Sequence, residues 1–129
     1  SASYYHCLNE EYILISDKYT VDDGYRLTKE LLKKDRLPSA LCVASDTLAV
    51  GVLQALNEGG IQVPEQIAVF SINDVNVAKY LSPPLTTIHI DIPCICETAL
   101  DLLRNRVLYG SRVTKLVFVN GTPIFRKSC

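Results

Sequence analysis

Short apolar runs alternate along the chain with stretches whose apolar residues recur every three or four positions. The runs read as strands and the periodic stretches as helices, and their alternation predicts an α/β domain built on a parallel sheet. Tyr12 to Ile15 is the first run. Thr20, three residues ahead of Asp23, offers a capping-box variant, and the helix beyond it carries Leu27, Leu31 and Leu32 inward until Pro38 stops it. Ala40 to Ala44 is unbroken and apolar, as a central strand covered on both faces should be. Asp46 is placed to cap the next helix, which carries Leu48, Val52, Leu53 and Leu56, and Gly59-Gly60 supplies its left-handed end.

Ile67 to Ile72 is the third run, after which Asn73-Asp74 opens a short helix through Ala78 and Tyr80. Pro83-Pro84 stops that helix, and Leu85 to Ile90 reads as extended. Asp91 caps the last helix, with Pro93 in its first turn, where a missing N–H costs nothing. From Ile92 to Val107 apolar residues recur at helical spacing as one broad stripe, ended by Gly110. Lys115 to Val119 and Ile124-Phe125 close the chain as short strands.

Composition narrows the function classes. A chain of 129 residues has room for one domain and buries roughly 65–70% of its unfolded surface if it folds alone. Thirteen Lys and Arg against fourteen Asp and Glu leave a net charge of -1, which lacks the cationic footprint of a stand-alone nucleic-acid binder. No run is long enough to cross a membrane, and the first residues lack the basic and apolar regions of an export signal. A chain that starts at Ser1 and has no Met reads as a fragment. Five cysteines at irregular spacing are poor material for a disulfide framework and point to a reducing cytoplasm. Cys94-x-Cys96 near His89 falls short of zinc spacing, so no metal is expected, and Cys96 is read as a small apolar residue on a buried helix face.

In an open parallel sheet, ligands bind beyond the carboxyl ends of the strands. There the chain places Ser16 to Tyr19, Ser45-Asp46 and Asn73-Asp74. One aromatic among short polar groups suits a small ligand with many hydroxyls, a ring stacking on a sugar face while amide, hydroxyl and carboxylate fix the hydroxyl pattern. Each residue also has a plainer role. Asp46 and Asp74 precede helices, and capping is favoured over ligand contact for both. Asn73 also suits a turn, and Tyr19 also suits a surface aromatic. Catalytic motifs are thin, with no nucleophile elbow, Walker loop or dinucleotide fingerprint, and no cofactor is expected. His89 and Asp91 lie two apart on an extended stretch, without a nucleophile to complete a triad.

Three segments then outweigh pattern reading: Leu37 to Gly51, with its Ala44-x-Asp46-x-x-Ala49-x-Gly51 helix start; Val63 to Val69; and Tyr80 to Ile88, with Pro83-Pro84-Leu85-Thr86-Thr87. Their order and spacing resemble the lactose-repressor/galactose-repressor family of transcriptional regulators. The resemblance covers the chain from about Tyr12 onward. It implies the C-terminal part of an effector-binding core with the periplasmic-binding-protein-like, Rossmann-like fold. That part is an incomplete fragment of two subdomains, with residues 1–88 and 118–129 in the C-terminal one and 89–117 in a crossover strand and helix of the other.

By the same resemblance, Tyr19 is the aromatic against the effector ring, Ser45 replaces a frequent Asn, and Asn73 replaces an effector-binding Asp. Ile90 stands where Gln is frequent, Ile92 where some members have an aromatic, and Asp46 completes the candidate set. The hydroxyl pattern read must therefore differ from the family's usual one or be read through water, and the wall is drier. Implied partners are a small-molecule effector, most simply a sugar or glycoside, and a second copy of the chain. Operator DNA would be bound through an upstream helix-turn-helix. The resemblance implies pairing through the helix after Ser45-Asp46 and the stretch near Lys79-Tyr80-Leu81, and that helix, apolar nearly all round, fits burial against both sheet and dimer partner. The stripe on the last helix lacks a home, so re-docking on this domain, exchange with a neighbour or a packing contact is expected. Two rivals stand beside a cytoplasmic repressor: a periplasmic-type sugar receptor, and a small α/β enzyme built on His89, Asp91 and Asp46.

Overall fold

The computed structural model describes residues 9–110 and 113–129. Three helices and four strands follow in the order α1 Val21–Leu31, β1 Ala40–Cys42, α2 Asp46–Glu58, β2 Ala68–Asn73, β3 Thr86–His89, α3 Ile92–Tyr109 and β4 Thr122–Ile124. The sheet order is β1-β2-β3-β4. β1, β2 and β3 are parallel, with Ala40 opposite Ala68 and Ser71 opposite Thr87, while β4 runs antiparallel to β3. This is the expected α/β architecture.

The helix boundaries follow local chemistry. Thr20 accepts the Asp23 N–H at the start of α1, and Asp91 accepts the Cys94 N–H at the start of α3. Gly110 ends α3 at a φ of 59°, a left-handed conformation that costs glycine nothing. α2 starts differently from expectation. Its cap is Ser45, whose hydroxyl accepts the Leu48 N–H at 3.3 Å, and Asp46 is the first helical residue.

α2 packs on β2, and α1 packs on α2. A Cβ added at Gly24 would strike the Leu48 carbonyl, and one at Gly51 the Val21 carbonyl, so the two helices meet backbone to backbone. Leu48, Ala49, Val52, Leu53, Ala55 and Leu56 are all buried, and Ile67, Val69, Ala78 and Leu85 complete the core. α2 is thus apolar nearly all round because it lies between the sheet and α1. Its composition needs no dimer partner to explain it.

Several expectations give way. β1 is an edge strand, not a central one, with Ala40 and Cys42 exposed. Tyr12 to Ile15 is not a strand: Asn9 accepts the Glu11 N–H and starts a short 3-10 helix, Glu10–Tyr12, and Ile13 and Ile15 stay 52% and 79% exposed. Lys115 to Val119 forms no strand either, with Leu116 and Phe118 each 80% exposed. Neither run pairs with a strand among the described residues, and a run without a backbone ladder is not a strand whatever its side chains. α3 does not re-dock on this domain. None of its residues is buried, and Cys96, expected on a buried face, is exposed.

The C-terminal tail is pinned by a polar wedge. Ser128 is fully buried; its hydroxyl donates to the Val69 carbonyl at 2.6 Å and accepts the Thr86 N–H at 2.8 Å. Its carbonyl accepts the Val69 N–H at 2.7 Å, and its own N–H donates to the Pro84 carbonyl. The tail thereby satisfies backbone groups where β3 begins.

Candidate functional site

Because β1, β2 and β3 are adjacent and parallel, their carboxyl ends open on one rim. Ser45 lies just past β1, Asn73 ends β2, and His89 ends β3 directly opposite Asn73 in register. Ile90 follows, half-buried, and Ile92 is 57% exposed in the first turn of α3. Tyr19, 57% exposed, flanks Val43 and Ala44 across a cavity of about 270 Å³ that also touches Leu14, Leu27 and Leu48. The rim therefore carries Ser45, Asn73 and Ile90 in strand order, with Tyr19 beside it on the loop ahead of α1, lining an apolar hollow that reaches neither Ser45 nor Asn73.

Each group is held by a different device. Tyr19 sits at a φ of 54°, which an L residue adopts only when fixed by its neighbours. Ser16 fixes it, accepting the Tyr19 N–H at 3.0 Å while donating to Asp23 at 3.1 Å. Asp23 also accepts the Lys18 N–H at 2.9 Å. That backbone bond is the main reason its carboxyl is held below the ordinary carboxylate range, helped by Ser16 and Arg26 against a partial desolvation cost. Pattern reading assigned Asp23 only to the helix start. The Ser16-x-x-x-Thr20-x-x-Asp23 spacing is the signal of its second role.

Asp46, a candidate for effector contact, is withdrawn from the rim. It is fully buried, and its carboxylate is spent within the chain. Oδ1 accepts the Ser71 hydroxyl and, at 2.7 Å, the Thr87 hydroxyl; Oδ2 accepts the Val75 N–H at 2.7 Å. One side chain at the head of α2 thus ties together β2, β3 and the turn after Asn73. The favoured capping role is also corrected, since Ser45 is the cap. Small hydroxyls at matched register, Ser71 and Thr87, are the sequence signal for such a buried acceptor.

Asp74 is not a cap either. The following 3-10 helix, Asn76–Tyr80, has no side-chain cap. Asp74 instead receives the Arg126 guanidinium at 2.7 Å and lies 3.2 Å from His89 Nδ1. Asn73 and Asp74 have φ values of 122° and 57°, so the turn that presents Asn73 is strained. His89 turns to Asp74, and Asp91 caps α3, so the pair does not act together.

Comparison with known proteins adds kinship to this geometry. A model of the periplasmic binding protein-like domain matches residues 2–129. The HTH-type transcriptional regulator GanR of Bacillus subtilis is 45% identical over 123 residues, covering 94% of this chain and 37% of GanR. A lactose operon repressor of Rhizobium radiobacter is 39% identical over 107 residues, covering 83% of this chain and 94% of that protein. A crystal structure of the lac repressor dimer bound to operator and the anti-inducer ONPF superposes with a TM-score of 0.77 at 28% identity, over 84% of this chain and 33% of that one. Against GanR and two further regulators, GalR and LacR, this chain spans only 34–37% of the relative's length.

Proposed function

We propose, for a chain that belongs to the lactose-repressor/galactose-repressor family of periplasmic binding protein-like domains, a role as one wall of the effector cleft of a cytoplasmic transcriptional repressor. The observation that carries this reading is the rim: Ser45 and Asn73 stand at the carboxyl ends of the adjacent parallel strands β1 and β2, where this architecture collects ligands, and Tyr19 stands beside them on the loop ahead of α1, across the apolar hollow from Val43 and Ala44. A sugar or glycoside is the effector that fits. Tyr19 offers a face for its ring, Ser45 and Asn73 offer hydroxyl and amide to its hydroxyls, and Ile90 and Ile92 give a dry wall. Asp46 supports the rim from behind.

Residues 1–88 and 118–129 are assigned to one subdomain and 89–117 to the other, because α3 buries nothing in the first. The protein pairs as a homodimer, with Val75, Val77 and Tyr80 as its exposed apolar surface nearest the rim turn. It meets operator DNA through a separate helix-turn-helix and performs no catalysis. No helix among the described residues is long and apolar enough to cross a membrane.

Titration calorimetry with lactose, galactose, glucose and ribose on the intact protein tests this reading. One sugar is expected to bind, and Asn73→Ala and Tyr19→Ala each to weaken it about tenfold or more, the scale of one lost polar or stacking contact. Binding unchanged in both variants would remove the rim from the site.

A further inference from the structure

The turn that presents Asn73 is held from a distant part of the chain. The geometry points to Arg126, in the C-terminal tail, as a positioning residue of the effector rim, setting the Asn73-Asp74 turn through the Asp74 carboxylate. The inference rests on the effector reading above, and adds a residue that touches no effector itself.

Arg126 makes three contacts of different direction. Nη2 donates to Asp74 Oδ1 at 2.7 Å, Nη1 donates to the Leu85 carbonyl at 2.8 Å, and its backbone N–H donates to Thr86 Oγ1 at 2.9 Å. The guanidinium therefore bridges the segment entering β3 and the turn leaving β2, at opposite ends of neighbouring strands' connection. Both partners of the ion pair are largely sheltered, Arg126 at 18% and Asp74 at 19% exposure, so water replaces little of the interaction when it breaks. The planar fork matters as well as the charge. Two donors at a fixed angle reach a carbonyl and a carboxylate together, which a lysine ammonium on a flexible stem does not reproduce.

The turn needs such a hold. Asn73 and Asp74 occupy left-handed backbone conformations that non-glycine residues leave unless the surroundings over-determine them. Thr87 and Asp46 fix the turn's backbone by accepting the Asp74 and Val75 N–H groups. Among the described residues, the Arg126 contact, seconded by His89, is what fixes the Asp74 side chain. The tail that carries Arg126 is itself anchored at Ser128, so the restraint is rigid.

The test uses Arg126→Met and Arg126→Lys in the intact protein, reading local amide exchange and binding of the four sugars named above. In Arg126→Met, exchange at Asp74 and Val75 is expected to quicken at least tenfold while interior amides of β2 keep their rates. The affinity of the folded protein for the bound sugar is expected to fall about tenfold or more, with Arg126→Lys in between. Because coupling is reciprocal, that sugar should slow exchange of the Arg126 amide. Uniform quickening along the chain, or local quickening with unchanged affinity, would overturn the inference and leave Arg126 a structural residue only. If no sugar binds the wild type, the effector reading fails separately, and unchanged exchange at Asp74 and Val75 would still refute the clamp. If Arg126→Met does not fold, Asp74→Asn tests the same contact from its other side with the same expected pattern.

Discussion

Removing the Asp46 carboxylate should cost this chain more than any single change on its rim. Asp46→Ala strands three donors at once: the Ser71 hydroxyl, the Thr87 hydroxyl and the Val75 N–H. Ser71 and Thr87 are buried to within 1% of full burial, so water cannot replace the lost acceptor there. An unsatisfied buried donor costs about 1–3 kcal/mol. Hydroxyls can rotate toward other acceptors, and Val75 is partly exposed, so the sum settles near the low end, about 3–5 kcal/mol. For a chain of this size that is roughly 10–20 °C in the unfolding midpoint. Asp46→Asn should cost less, about 1.5–2 kcal/mol. Its oxygen can still serve Ser71 and Thr87, but its NH₂ then faces the Val75 N–H, donor against donor. Thermal and urea unfolding of both variants, with amide exchange at Val75, give the measurement. An Asp46→Asn midpoint within about 1 °C of the wild type would refute the buried-hub argument, because the carboxylate would then have no use that an amide cannot fill.

Gly51→Ala should destabilise by about 2–3 kcal/mol through overpacking, since its methyl meets the α1 backbone rather than a movable side chain; circular dichroism melts would show it, and a neutral result would deny the close helix crossing. Leu103→Glu, on the exposed stripe of α3, should be neutral within about 0.5 kcal/mol in residues 1–129 alone but strongly destabilising in the intact protein, and equal effects in both would contradict the proposed division of subdomains. Glu58 is held below the ordinary carboxylate range chiefly by the Tyr25 hydroxyl at 2.6 Å, with Gln54 and Lys29 adding to it. A depressed carboxylate stabilises at neutral pH, and that stabilisation is lost as pH falls through its folded value. Acid unfolding of Tyr25→Phe should therefore show a shallower pH dependence than the wild type, and identical acid limbs would remove the assignment.

Several helix ends were readable because they depend on neighbours in sequence, whereas the place of Ala40 to Ala44 in the sheet, read as central and found at the edge, was not. Thr20, Asp91 and Gly110 announce their helix ends through a short side chain or an absent Cβ, and each end falls where those residues stand. The rim was readable for a related reason, since a parallel sheet sends the residues just past each strand to one side whatever the rest of the chain does. What escaped was everything decided at long range. Asp46 looks like a cap until Ser71 and Thr87, 25 and 41 residues away, are seen to donate to it. Asp74 looks like a cap until Arg126 arrives from 52 residues on. In both cases the same residue type satisfies a local and a distant role, and only the fold chooses between them.

The strand readings that failed bear on how the protein is assembled. Tyr12 to Ile15 and Lys115 to Val119 have strand chemistry, and α3 has a helix's apolar stripe, yet all three stay exposed. Ile15, Leu103, Val107, Leu116 and Phe118 each expose more than half their surface, whereas the core around α2 is closed. A chain whose misread elements were merely weak would expose polar residues there. Large apolar side chains left exposed on these elements mark surfaces suited to burial. α3 and the segment after it lie within residues 89–117 or at their border, the part proposed for the second subdomain, and that proposed division accounts for the unburied helix and the unpaired run after it together. The sequence patterns there were right about chemistry and wrong about state, because a strand or an amphipathic helix is completed by its partner and not by its own residues.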